Sequence, residues 1–143
     1  MIDSIFPVLC VNDTAAHRDF YVEVLGLEVM FDCGWYTALC VPGDQSRQVA
    51  LVEAGHETVP TRFDEPARGC LVTVAVPDVD AVHNRAIAGG YEAVQELRDE
   101  PFGQRHFMLE DPGGTLLDII QWIPPSREFL REVAQWRRSQ RAS

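Results

Sequence analysis

The sequence predicts an α+β fold of two βαβββ modules and a terminal helix, and three observations predict it. An apolar strand ending in Asp occurs twice, as Pro7-Val8-Leu9-Cys10-Val11-Asn12-Asp13 and as Val72-Thr73-Val74-Ala75-Val76-Pro77-Asp78. Each copy runs into a helical pattern closed by glycine, at Gly26 and at Gly89-Gly90. Each helix is followed by short strand patterns separated by turn residues.

In the first module Asp13 can cap a helix over about 14–25, because its carboxylate accepts the free N–H groups of the first turn. Ala15, Phe20, Val22 and Leu25 are the expected buried stripe of that helix. Strands are expected at about 27–33, 35–41 and 48–53, divided by Gly34 and by Pro42-Gly43-Asp44. A polar linker, about 54–68, leads to the second module. There Asp78 caps a helix over about 79–89 that buries Val79, Val82, Ala86 and Ile87. The strands that follow are expected at about 92–97, 104–110 and 115–122, divided by Pro101-Phe102-Gly103 and Asp111-Pro112-Gly113-Gly114. Pro124-Pro125 stops the last strand, and Ser126 caps a helix with Phe129, Leu130, Val133 and Trp136 at helical spacing. The organisation is thus one domain over 1–125, with modules at about 4–53 and 69–123, and a basic amphipathic helix over 126–143.

The 143 residues suit a single domain with a real core, and a composition 46% hydrophobic and 24% charged excludes a disordered or disulfide-scaffold class. All 12 basic residues are Arg; against 22 acids they leave a net charge of −10, which argues against nucleic acid as a partner. The charge is uneven, with five Arg and two acids in 126–143 against seven Arg and 20 acids before it. Such a tail could bind anionic lipid or RNA, but docking on an acidic face of its own or a neighbouring subunit, or plain solvation, is the expectation. Cys10, Cys33, Cys40 and Cys70 form no C-x-x-C pair and have no His at zinc-finger spacing, so buried free thiols are expected. The opening MIDSIFPVLCV lacks a basic region, and no stretch reaches the ~18 apolar residues of a spanning helix. The expected compartment is the cytoplasm, with no membrane partner.

The phrases VNDTAAHRDFYVEVLGLEV, VAVPDVDAVHNRAIAGGY and GQRHFMLEDPGGTLLDII, in a doubled βαβββ unit, resemble the vicinal-oxygen-chelate superfamily of glyoxalases, bleomycin-resistance proteins and extradiol dioxygenases. The likeness covers residues of about 4–123 and implies sheets curled into a half-barrel cavity, commonly completed in a homodimer. In metal-dependent members a divalent ion occupies that cavity on four ligands. The corresponding positions here are Phe6, Leu71, Ala50 or Val52, and Asp118, so only one keeps a donor. Glu53 would need a one-residue register shift to point inward. A divalent ion needs three or more converging N or O donors, so no metal and no other cofactor is expected. His17, His56 and His83 are expected to be exposed or capping residues rather than ligands.

Alternation along the strands then gives the expected lining. Phe6 brings Val8 and Cys10 to its face, Leu71 brings Thr73 and Ala75, and Asp118 brings Leu116, Ile120 and Trp122. His106 and Met108 join them, with Arg105 and Phe107 on the other face. Asp118 should be a ligand anchor or be bonded to Arg105 or His106, since an unpaired buried carboxylate is costly. Gly34-Trp35-Tyr36 offers a stacking platform, and Trp122 a second. The expected ligand contacts are therefore Phe6, Val8, Cys10, Trp35, Leu71, Thr73, His106, Met108, Asp118 and Trp122. Such an apolar lining with a few polar points suits a hydrophobic, partly aromatic small molecule. The metal-free members that sequester antibiotics imply a binding protein of that kind. The competing class is an enzyme, either metal-dependent or metal-free with Asp118 and His106 as an acid/base pair.

Overall fold

A computed structural model describes residues 1–142. The elements follow the order β1 (Val8–Val11), α1 (Thr14–Leu25), β2 (Glu28–Asp32), β3 (Tyr36–Val41), β4 (Asp44–Glu53), β5 (Leu71–Ala75), α2 (Val79–Ala88), β6 (Gln95–Glu100), β7 (Gln104–Glu110), β8 (Leu116–Trp122) and α3 (Arg127–Arg141). The expected α+β repeat is present: the strands form two four-stranded sheets of the same order, β1-β4-β3-β2 and β5-β8-β7-β6. The chain divides into two compact units, one of Met1–Leu71 with Glu110–Leu116, the other of Val72–Leu109 with the chain from Leu117 onward. The Asp-Pro-Gly-Gly turn before β8 thus belongs to the first unit, with α1.

In the first unit the Asp13 carboxylate accepts from the Ala16 N–H, and Gly26 ends α1 at φ 69°, a left-handed conformation that favours glycine. β1 runs parallel to β4, and β4 and β2 run antiparallel to β3. The register places Val8, Ala50 and Ala38 on one face, with Cys10, Val52 and Tyr36 beside them. Leu9, Val11, Leu39 and Leu51 point the opposite way and are fully enclosed on the α1 side. The helix buries His17, Phe20, Tyr21 and Val24, spaced i, i+3, i+4 and i+7. This corrects the expected stripe: only Phe20 belongs to it, while Ala15 and Val22 face solvent and Leu25 is half-buried. β4 starts at Asp44 rather than 48, because a two-residue Pro42-Gly43 turn joins it directly to β3.

In the second unit Asp78 caps α2 by accepting from Ala81 N–H. Val79, Val82 and Ala86 are buried as expected, but Ile87 is exposed. The Gln121 side chain from β8 accepts from Val79 N–H at 3.0 Å, and Phe107 packs edge-on against His83. These contacts identify Arg105, Phe107, Leu117, Ile119 and Gln121 as the α2 side of the sheet. β6 lies over 95–100 instead of 92–97, with a register shift between Gln95 and Arg98. Ser126 caps α3 by accepting from Phe129 N–H, and Phe129 meets Phe102 with ring centroids 6.4 Å apart. No residue of α3 is fully buried. Of the cysteines only Cys40 is buried; Cys33 is exposed and Cys10 and Cys70 half-buried, all four as free thiols.

Candidate ligand-binding site

Because side chains alternate across a strand, the face of β7 and β8 away from α2 carries His106, Met108, Asp118 and Ile120. His106 is the hub of this face. Its Nδ1 lies 2.8 Å from Asp118 Oδ1, and its Nε2 lies 3.0 Å from Glu100 Oε1 and 3.1 Å from the Gln95 amide. Asp118 is therefore bonded to His106 and not to Arg105, which pairs across the sheet's other face with Asp80 at 2.8 Å and with Asp99 at 3.0 Å. Burial alone would lower the His106 pKa, but hydrogen bonds to Glu100 and then Asp118 outweigh it and raise it. The same bond to His106, followed by that to Arg98, holds Glu100 below the usual glutamate range.

An imidazolium donating through both nitrogens to two carboxylates fits this geometry. Such a ring has no lone pair with which to accept a substrate proton. It also fixes the Asp118 carboxylate in one orientation on a largely apolar sheet face. Glu100 was missed at the sequence level because β6 sits three residues later than its pattern suggests; Gln95 lay inside the expected strand, but nothing in the pattern aimed it at His106.

The remaining expected contacts are less gathered. Thr73 is exposed on β5 and Leu71 opens that strand; Trp122, at the end of β8, is 66% exposed. In the first unit Phe6 precedes β1, and Val8 and Cys10 share one face of that strand, Val8 exposed and Cys10 half-buried. Trp35 departs from expectation. It precedes β3 and its carbonyl accepts from Glu53 N–H, so it is one residue out of step with Tyr36, which shares the Val8–Cys10 side. One face of its indole is already taken: the His56 ring stacks on it at 3.8 Å with the planes 4° apart. His56 thus is half-buried rather than exposed, because its ring is bound to Trp35. His17 is not exposed at all, being 2% accessible beneath Asp111. His83 is half-buried against Phe107.

The donor chemistry does not fit a metal at the superfamily's ligand positions. Phe6, Leu71, Ala50 and Val52 offer no N or O side-chain donor, and Asp118 is bonded to His106. Glu53 pairs in register with Val11, on the side opposite Val8 and Cys10. Among the described residues no group of three or more His, Cys, Asp or Glu is placed to hold an ion. No described helix is long and apolar enough to cross a membrane.

Two sheets of identical order, each with the helix of its own module between its first two strands, define the paired-βαβββ class of α+β proteins. The family model described as the Glyoxalase/Bleomycin resistance protein/Dioxygenase superfamily matches residues 2–119, and the chain belongs to that superfamily. Among curated proteins none matches. Solved structures share the fold. TioX from Micromonospora sp. ML1 is 24% identical with a TM-score of 0.68, over 85% of this chain and 100% of that one. A lactoylglutathione lyase from Agrobacterium tumefaciens is 18% identical with a TM-score of 0.67, over 84% and 94%. A superfamily member from Sphaerobacter thermophilus DSM 20745 is 23% identical with a TM-score of 0.69, over 85% and 98%.

Proposed function

We propose that this protein is a metal-independent binding member of the superfamily, which holds a hydrophobic, partly aromatic small molecule without changing it, in the manner of an antibiotic-sequestering resistance protein. The observation that carries this reading is the His106 ring, with both nitrogens engaged by Asp118 and Glu100. A general base needs a free lone pair in reach of the substrate, and both nitrogens of this imidazole already face carboxylate oxygens. On the same face of β7 and β8, Met108, Ile120 and Trp122 supply apolar and aromatic area, and Asp118 supplies a fixed acceptor that orients a ligand N–H or O–H.

The test is incubation with planar aromatic natural products, read by calorimetry for affinity and by mass spectrometry for conversion. Binding is expected at sub-micromolar Kd, about −8 kcal/mol or better, with the compound recovered unchanged. Trp122→Ala should weaken binding by roughly 1–3 kcal/mol if the indole is an anchor of the hot-spot kind. Conversion by the wild type that disappears in Asp118→Asn, with affinity retained, would replace this reading by an acid/base enzyme.

A further inference from the structure

We infer that α3 is a docking arm whose partner is a second copy of this chain, and that it covers the outer strand β2 of that copy. The inference does not rest on the ligand reading.

The arm is open along its apolar side. Phe129 is anchored against Phe102, but Leu130 and Trp136 stand exposed on a helix with no fully buried residue. A hundred degrees per residue places Phe129, Val133 and Trp136 in one stripe, with Leu130 at its border beside Arg137 and Arg141. None of the ion pairs among the described residues joins an Arg of α3 to an acid, so the five Arg of this helix have no acidic partner there. Five unpaired cations and a bare apolar stripe call for a surface that is apolar and acidic. An anionic lipid surface would satisfy the cations too, but it would repel the rest of the chain, where 20 acids face seven Arg. The same excess of acid makes another copy the complementary surface.

β2 has the required character. It is an outer strand of its sheet, and all five of its residues are exposed in the single chain. Val29, Met30 and Phe31 form an apolar run between Glu28, the acid of this strand open to a cation, and Asp32, which Arg18 already holds at 2.7 Å, and a pocket of about 350 Å³ beside it is lined by Glu28, Val29, Met30, Cys40, Gly43 and Gln45. Exposed apolar edge strands invite indiscriminate pairing, and covering the edge with a helix is one of the ways proteins prevent it. The dimensions agree, since a 15-residue helix is about 22 Å long and a five-residue strand about 17 Å. A two-fold arrangement makes the contact twice, each copy giving its arm and receiving the other's.

The experiment replaces Trp136 by the photoreactive benzoylphenylalanine in an equal mixture of isotopically light and heavy full-length chains, irradiates it, and maps crosslinks by mass spectrometry. Sedimentation is measured in parallel. The expected products are light–heavy pairs joined to residues 28–32, from a protein that sediments as a dimer. Arg137→Glu/Arg141→Glu should weaken the dimer at least tenfold, and Glu28→Arg in that background should restore part of it. Circular dichroism shows that each variant is folded, and the crosslink map stands whatever these variants do. Crosslinks only within one chain, crosslinks outside β2, a monomer at every concentration, or capture of the arm by phosphatidylserine vesicles without dimer would each overturn the inference.

Discussion

A side-chain carbon on Gly113 would stand 2.7 Å from Nε2 of His17, so the turn before β8 closes directly onto the α1 imidazole. His17 Nδ1 lies 2.7 Å from the Asp13 carbonyl oxygen, to which it donates, and its Nε2 lies 3.6 Å from Asp111 Oδ1. Tyr21, one turn further along α1, donates its hydroxyl to Asp111 Oδ2 at 2.9 Å. Asp111 also accepts from the N–H groups of Gly113 and Thr115. The helix that opens the first module and the turn inside the second are thus locked by one buried cluster.

Gly113→Ala is expected to destabilise the protein by about 1–3 kcal/mol, because neither the enclosed imidazole nor the Asp111-bonded turn can yield without strain. Urea denaturation checks this. Gly114→Ala would be costly for a different reason, the left-handed φ of 89° at that residue.

Tyr21→Phe keeps the ring and removes only the donor, leaving a buried carboxylate oxygen short of a partner. The expected loss is about 1–3 kcal/mol in the unfolding free energy. Burial and the neighbouring Asp111 hold the Tyr21 phenol well above its ordinary pKa. No tyrosinate absorbance from this residue should therefore develop below the pH at which the protein unfolds.

Stability should be greatest in mildly acidic solution. His17 and His106 are both raised above 6.5: burial opposes, but the nearby Asp111 carboxylate and the bond to the Asp13 carbonyl in one case, and bonds to Glu100 and Asp118 in the other, prevail. Their contribution is full below the unfolded pKa and is lost as pH rises through the folded one. Asp111 is lowered from 3.8, because the adjacent His17 imidazole and bonds from the Thr115 N–H and the Tyr21 hydroxyl overcome its burial, and Glu100 is lowered from 4.5. Their contribution is present above those values and is lost as pH falls through the folded pKa. The urea midpoint should accordingly be highest between about 4.5 and 6.5 and fall on either side. His106→Gln should flatten the alkaline limb; an unchanged limb would contradict the bonding described.

His56→Ala should bare the stacked face of Trp35. With Trp122 and Trp136 replaced by Phe, the remaining indole emission is expected to shift to the red and become more accessible to iodide. The stability change should stay within roughly 0.5–1.5 kcal/mol, the range for one aromatic pair. If Trp35 takes part in ligand binding through that face, the same substitution raises the affinity, because the imidazole no longer competes.

The repeated strand–Asp–helix–Gly phrase by itself determined the fold. A capping carboxylate and a left-handed glycine are local devices, so Asp13, Gly26 and Asp78 mark helix ends whatever lies around them, and period-two alternation put His106 and Met108 on the Asp118 side of their sheet. What the sequence could not determine is which polar side chains go inside. His17 and Tyr21 displaced Ala15, Val22 and Leu25 from the buried stripe because Asp111, 90 residues beyond Tyr21 in the chain, receives the phenol. His56 looked like a loop histidine until the turn at Gly55 laid it on Trp35. Glu100 reached His106 only through the register shift in β6. In each case the deciding term is a hydrogen bond or ring contact that no local sequence pattern specifies, whose strength depends on distance and orientation, and the folded structure alone sets those.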